Sequence, residues 1–422
     1  MKDGQYHREQ HIINKIIMKR AIYIFAILLT ACNTNKQGLN DLRFIDVAGA
    51  VNNSRTVNLS EIADSIEYIP LETIKESLIG IIHGGRIFRE QELIYIPVLN
   101  DGVRVFNKKG EFINTIHKEG RGPEEYGRYL NSNIDHVTGN IYISGSSKII
   151  EYKYNGNFVR KINLPEYSMG DSVRYGFFRV FGNYLLITSI LDYNSRYSAF
   201  VTDTTFNIIM KIEYPKEEQE FVKTITYRRP PSTDQRIFRY GDKFRIINGH
   251  NKYILSINKD LSIDTAFILN YGKYGAKNTK TPLTPDSPYL WQRLDAFESD
   301  DYLFLKMHVG TLLKNPTILL DVMGKEFNYN HSCSFFNKKT GKFTFLDQPI
   351  PYQLGFNEDF EGGPAFWPKY VSADNYMISI ISAFEFKSFA NKNNVSQKYK
   401  ALSDKLKESD NHVLIKVKLK KL

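Results

Sequence analysis

A chain of 422 residues could hold two or three average domains, but all-β folds commonly run past about 200 residues as one unit. A hydrophobic share of 42%, with 28 Phe and 27 Tyr, excludes a disordered chain and favours half-buried strands. The formal charge of +10 falls nearer to +7 without residues 1–31, which hold five Lys/Arg and two Asp/Glu; the remaining lysines are spread along turns, so no nucleic-acid partner is expected.

Chain order begins with Met18-Lys19-Arg20, a short basic segment, and an apolar run from Ala21 to Leu29 that is too short to span a bilayer as a stable helix. Leu29-Thr30-Ala31-Cys32 resembles the lipobox of bacterial lipoprotein signal peptides: basic head, apolar core and small residues before the cut site. The resemblance implies that residues 1–31 are a signal peptide started at Met18 and that Cys32 is lipidated and becomes the first mature residue. A polar tether over 32–60 would follow, with the propeller described below over 61–422. The membrane is then a partner through the lipid anchor, and the expected place is the cell envelope, in the outer membrane, facing either the periplasm or the outside. Cys333 is the only other cysteine; it lies in the apolar run Ser332–Phe336 and reads as a buried, inert thiol.

From residue 80 onward a unit recurs: an alternating strand, a gap, a second alternating strand, a tight polar turn and a third strand. The first copy is Leu93–Ile96, Val103–Phe106, the turn Asn107–Gly110, and Phe112-Ile113. Copies two to four are centred on Ile141–Ile143 and Ile149–Tyr152, on Tyr184–Ile187 and Ala199–Val201, and on Phe244–Ile247 and Tyr253–Leu255. The fifth has Tyr302–Leu305, a long insertion, then Cys333–Phe336 and Phe343–Phe345; the sixth has Tyr376–Ile380 and His412–Val417. One further apolar run precedes each copy, which makes four short strands per unit. Asn/Gly turns between alternating runs are what antiparallel meanders require.

A four-stranded sheet cannot bury both faces alone, so such units pack face to face around an axis. The expected fold is all-β, a six-bladed β-propeller; seven blades, if 270–330 hides another, and a pair of β-sandwiches are the alternatives. The sixth copy lacks its outermost strand, which Ser65–Leu71 can supply, closing the ring and removing an open edge. Only Val395 to Leu406 shows helical spacing, inside an insertion at about 383–411.

Gly120-Arg121-Gly122-Pro123-Glu124-Glu125-Tyr126, after Asn107–Ile113, resembles the signature of the six-bladed β-propeller lipoproteins common in Bacteroidetes. Glu124 stands where that pattern has a glycine. Ile69–Thr73 is similar to the family's opening, Asn411–Leu414 to its closing strand, and Phe360–Pro364 with Phe366–Pro368 to its last inter-blade loop. The resemblance implies a propeller over nearly the whole mature chain and a part in nutrient handling or outer-membrane assemblies.

With strands A to D counted outward from the axis, loops D–A and B–C emerge on one face and loops A–B and C–D on the other. The long connections (116–129, 214–235, 270–290, 347–365, 309–328, 383–411) are all D–A or B–C, so that face is the expected binding face. On it Arg121, Glu124 and Tyr126 offer a donor fork, an acceptor and an aromatic plane, or a clamp between blades. Asp359, Glu361 and Trp367, with Trp291 in the matching place one blade earlier, suit a sugar ring or a peptide, or core packing. No Gly-x-Ser-x-Gly elbow, His-Glu-x-x-His pair or phosphate loop occurs, and His83, His136, His250 and His308 fall in different units. A non-enzymatic protein that binds a glycan, a peptide or an envelope protein, with no cofactor, is therefore expected. One alternative is a calcium-dependent hydrolase or lactonase at the channel mouth, using Asp135, Asp295 or Glu358; another is a scaffold that holds a partner through 383–411.

Overall fold

In the computed structural model, the described residues are 43–83, 86–90, 92–129, 131–145, 147–164, 175–189, 197–213, 216, 236–247, 252–275 and 286–421. The chain divides into Met1–Phe44 and Ile45–Leu422. Cys32 and the expected signal segment lie outside the described residues.

Strand alternation builds six antiparallel sheets, each meandering from an inner strand A to an outer strand D. Blade one is Phe88–Glu90, Leu93–Pro97, Val103–Asn107 and Phe112–Ile116. Blade two is Asn131–Ile134, Ile141–Ser144, Lys148–Tyr152 and Phe158–Asn163. Blade three is Tyr175–Phe181, Tyr184–Ser189, Tyr197–Asp203 and Ile208–Glu213. Blade four is Arg236–Tyr240, Lys243–Ile247, Tyr253–Ile257 and Ile263–Asn270. Blade five is Trp291–Glu298, Tyr302–His308, His331–Asn337 and Lys342–Phe345. Blade six takes Tyr370–Val371, Tyr376–Ile381 and Val413–Leu419 from the C-terminal end and Ala63–Pro70 as its outer strand. Inner strands of neighbouring blades touch one another, which places them around the axis.

The core is divided among the blade interfaces. Side chains at i and i+1 of a strand point to opposite faces, and both faces of a blade are covered by neighbours. In blade one, Tyr95 and Val105 pack toward Ile141, Ile143 and Tyr152 of blade two. Their neighbours Ile94, Ile96 and Phe106 pack toward Ile378, Ile380 and Leu414 of blade six. Each fully buried side chain of this size contributes about 1.5–3 kcal/mol, and the same division recurs between the other neighbouring blades.

Ring closure follows the expected pairing: Ile66 faces Val417, Ile69 faces Leu414 and Pro70 faces Val413. The C–D turn of blade one locks onto this strand. Gly110 has φ +85°, and a Cβ there would stand 2.3 Å from the Pro70 carbonyl oxygen, so only glycine fits.

Two expectations change, and one alternative falls. The segment expected to be a tether over 32–60 is part of the fold from Ile45 onward. Ile45, Val47 and Val51 are buried against Phe267, Leu269 and Phe345, and Val57 and Leu59 against Phe335 and Phe356. Residues 309–330 hold a two-stranded hairpin, Thr317–Leu320 with Glu326–Tyr329, and no seventh blade. The insertion in blade six contains two helices: Gln397–Lys405, inside the expected Val395–Leu406, and Ala383–Lys392, which spacing alone did not reveal. Its signal was the capping box Ser382-x-x-Glu385, where serine and glutamate satisfy each other's backbone N–H groups. Phe386 and Tyr399 stack at 4.0 Å across the two helices, and Tyr68 meets both rings edge-on.

Candidate functional site

The residues singled out in the sequence do not meet in one place. Tyr126 is fully buried between blades one and two, beside Tyr129. Tyr152 Oη donates to the Glu124 carbonyl at 2.6 Å and Lys148 Nζ to the Gly122 carbonyl at 2.7 Å, so blade two grips the Gly120–Tyr126 turn. Arg121 and the Glu124 carboxylate remain exposed, the latter 3.9 Å from Lys118 Nζ. Trp291 is 4% exposed, edge-on to Tyr289 and His308, and Trp367 stacks on Phe356. Trp291 is covered, and Trp367 is half-buried with one face on Phe356.

The acids of the last inter-blade loop bind neighbouring segments of the chain. Asp359 accepts from the Ser60 N–H at 2.9 Å and the Ser60 hydroxyl at 2.5 Å. Glu361 accepts from Lys398 at 2.9 Å and from the Ser396 hydroxyl, which ties down the start of the second helix. The calcium candidates are separated in the same way. Glu358 accepts from the N–H groups of Phe360, Glu361 and Gly363, and Asp135 shapes the turn at Val137 and Thr138. The Asp295 side chain and His250 lie outside the described residues. Among the described residues, no three His, Cys, Asp or Glu side chains gather as they would around a metal ion.

What the fold does assemble is a cavity of about 500 Å³ on the axis, with a wall drawn from all six blades. Its rim includes the A–B turns at Gly241, at Ser299-Asp300 and at Ser372-Ala373, so it opens toward the end opposite the long loops. The inner edges of the blades border the channel, so consecutive residues such as Ile237–Gly241 and Ala296–Asp300 line it. Arg86, Arg179, Arg239 and Lys369 line it with Glu298 and Asp300, among aromatic rings that include Phe88, Phe238, Phe297 and Tyr370.

Two polar networks hold this wall. Glu90 of blade one accepts from Tyr370 Oη of blade six and meets His136 Nδ1 of blade two, with Arg239 of blade four 3.6 Å from its second oxygen. Burial and the adjoining carboxylate push the Tyr370 phenol far above its usual range. Burial holds the His136 imidazole below its usual value, outweighing the pull of Glu90, and burial also lowers His83, beside Arg86. The second network centres on Glu298, which takes Arg245 at 2.7 and 3.2 Å and Lys338 at 2.6 Å. At the seam, Arg89 of blade one reaches Asp374 of blade six at 2.5 Å and lies over Tyr376. Of these residues, sequence reasoning had noted only His83 and His136, each without a partner. The others sit in or beside the inner strands, the least regular part of each repeat, and no spacing connects them.

Among the described residues no helix is long and apolar enough to cross a membrane. No curated protein matches the chain in sequence. Among solved structures, a protein of Bacteroides fragilis NCTC 9343 described as exported superposes with a TM-score of 0.63 at 18% identity, covering 90% of this chain and 99% of its own. A member of the duf4221 family from Bacteroides vulgatus ATCC 8482 gives 0.46 at 11%, covering 85% and 98%. At these identities the first likeness speaks for the fold, the six-bladed propeller. Residues 42–418, the propeller with its closing strand, match the family described as "Domain of unknown function (DUF4934)", and the chain belongs to that family.

Proposed function

We propose that the protein is an exported, lipid-anchored component of the cell envelope that binds a ligand in its axial cavity without converting it. The observation that carries this reading is the cavity: about 500 Å³, with a wall drawn from every blade and polar groups set among aromatic rings. Export is supported by the lipobox ending in Cys32 and by the description of the B. fragilis relative. The test uses the purified full chain on glycan and peptide arrays, with metal analysis of the same sample. Ala373 is exposed on the cavity rim, so Ala373→Trp narrows the mouth without touching the core. Binding is expected to disappear in that variant; binding that survives places the site elsewhere. For the anchor, Cys32→Ser should move the protein from the membrane to the soluble fraction.

A second reading, a partner protein on the long-loop face, is favoured by one observation. The blade five hairpin ends in Val322 and Met323, both almost wholly exposed, with Leu320 and Phe327 partly exposed behind them. Changing both tip residues to serine should abolish any co-purifying envelope partner while leaving the cavity intact.

A further inference from the structure

We infer that the blade five hairpin dips its apolar tip, Val322 and Met323, into the bilayer that holds the lipid anchor. This goes beyond the axial-cavity reading and rests on the anchoring proposed above; it gives the tip to lipid in place of a partner protein.

The tip is apolar, exposed and braced. Exposure climbs outward along the hairpin, from the buried Thr317 through Leu320 at 44% to Met323 at 89% and Val322, which is wholly exposed. A loose loop would fold such side chains back, but these arms are held. Thr317–Leu320 pairs with Glu326–Tyr329. The Ile318 N–H donates to Gln348 Oε1 at 3.1 Å, Gln348 Nε2 donates to the Ile318 carbonyl at 2.8 Å, and Tyr352 Oη donates to Glu326 Oε1 at 2.5 Å. Large apolar side chains held out in water on a braced turn mark a surface that meets something apolar.

The backbone of the turn suits a surface that offers no hydrogen bonds. The Asp321 N–H donates to the Lys325 carbonyl at 2.9 Å and the Gly324 N–H to the Asp321 carbonyl at 3.0 Å. Asp321 Oδ1 accepts from the N–H groups of Met323 and Lys325 at 2.8 and 2.9 Å. These N–H groups are bonded within the turn, which lowers the cost of moving it out of water.

What selects lipid is the place where the chain enters the fold. Ile45, Val47 and Val51 share one apolar cluster with Tyr271, just beyond the outer strand of blade four, and with Leu313, on the way into the hairpin. Asp46 Oδ1 accepts from Asn270 Nδ2 at 3.0 Å, at the long-loop end. The entry point and the base of the hairpin therefore share one end of two neighbouring blades. Only residues 33–44 separate Cys32 from Ile45, a stretch that reaches at most about 45 Å. A lipid on Cys32 keeps this end within reach of the bilayer, where the apolar area of the tip adds a second contact to the first.

The test reads the depth of the tip. Met323→Trp and, separately, Val322→Trp are placed in the otherwise native chain. Each is reconstituted into vesicles of phosphatidylethanolamine and phosphatidylglycerol with brominated acyl chains, which quench an indole where it meets hydrocarbon. Lys259→Trp, on the exposed C–D turn of blade four at the opposite end, is the control. The native chain supplies the background of Trp291 and Trp367. The added indole at position 323 or 322 is expected to lose about half of its emission and to shift to the blue, and the one at position 259 to do neither. Adding Val322→Asp to Met323→Trp should abolish the quenching, because a carboxylate would have to leave water with the indole. Thermal midpoints establish that the variants are folded, and mass spectrometry of the native chain reports its lipid separately. In a lipidated chain, tip indoles quenched no more than the control, or quenching that survives Val322→Asp, overturn the tip inference and leave the anchor standing. A protein captured through an unquenched tip then takes the place of lipid. A native chain without lipid overturns the anchor and this inference together.

Discussion

The two ends of the propeller spend their polar groups differently. At the long-loop end the acids pin turns and the chain segments beside them. Glu358 caps three N–H groups of its own turn, Asp359 holds Ser60, and Glu361 holds the start of a helix. At the opposite end the connections are short, yet Glu90 draws on side chains from blades two, four and six, and Glu298 binds groups from blades four and five. The acids beside the long loops fix turns and chain segments near them, whereas those at the axial end join side chains of several blades.

Four experiments break or sharpen that contrast, the largest effect first. Deleting residues 63–70 removes the outer strand of blade six and bares Leu414, Ile415 and Val417. The cooperative thermal transition seen by circular dichroism should be lost, whereas deleting 317–329 at the loop end should move the midpoint by only a few degrees. Equal damage from both deletions would show that the hairpin is part of the core.

Glu298→Ala leaves Arg245 and Lys338 without their carboxylate, and losing one partner of such a buried network costs about 3–5 kcal/mol. Asp359→Ala at the loop end should cost about 1 kcal/mol, the net worth of an exposed hydrogen-bonded contact. Urea midpoints compare the two, and a similar loss in both would erase the distinction between the ends.

Acid should weaken the axial end first. His83 and His136 titrate below their usual value of 6.5 in the folded protein because burial disfavours the cation. The unfolded chain then takes up protons first as the pH falls through 6.5, so stability is lost below that value and is unaffected above it. His412, in the blade six insertion, is lowered by burial too and adds to the same trend. Urea midpoints measured from pH 7.5 to 5 should decline, and His136→Gln should flatten part of the decline. An unchanged slope in that variant would take His136 out of the account.

The smallest effect belongs to the hairpin tip. Val322→Ser with Met323→Ser should leave stability within about 0.5 kcal/mol, since neither side chain is covered.

Much of this fold is legible without coordinates. Alternation in runs such as Leu93–Ile96 and Tyr302–Leu305, with turns such as Asn107–Gly110, marks the strands, and the missing strand of the sixth copy points to Ser65–Leu71. Period-2 patterning is a local property, and every copy states it again. The Ala383–Lys392 helix was written in the Ser382–Glu385 cap but masked by the strand-like alternation of Phe384, Glu385 and Phe386, and the packed stretch from Ile45 was masked by the polar residues around it.

The sequence by itself determined the repeat, the order of strands in each blade, the closure of the ring and the face on which each loop emerges. All of these follow from alternation and from the antiparallel reversal of successive strands. Only the tertiary structure decided that Glu90, His136, Arg239 and Tyr370 meet, that Trp291 and Tyr126 are covered, and that the cations of four blades surround one space. Most of those residues sit in or beside the inner strands. Their partners are set by how the blades are arranged around the axis, a property that no single repeat contains.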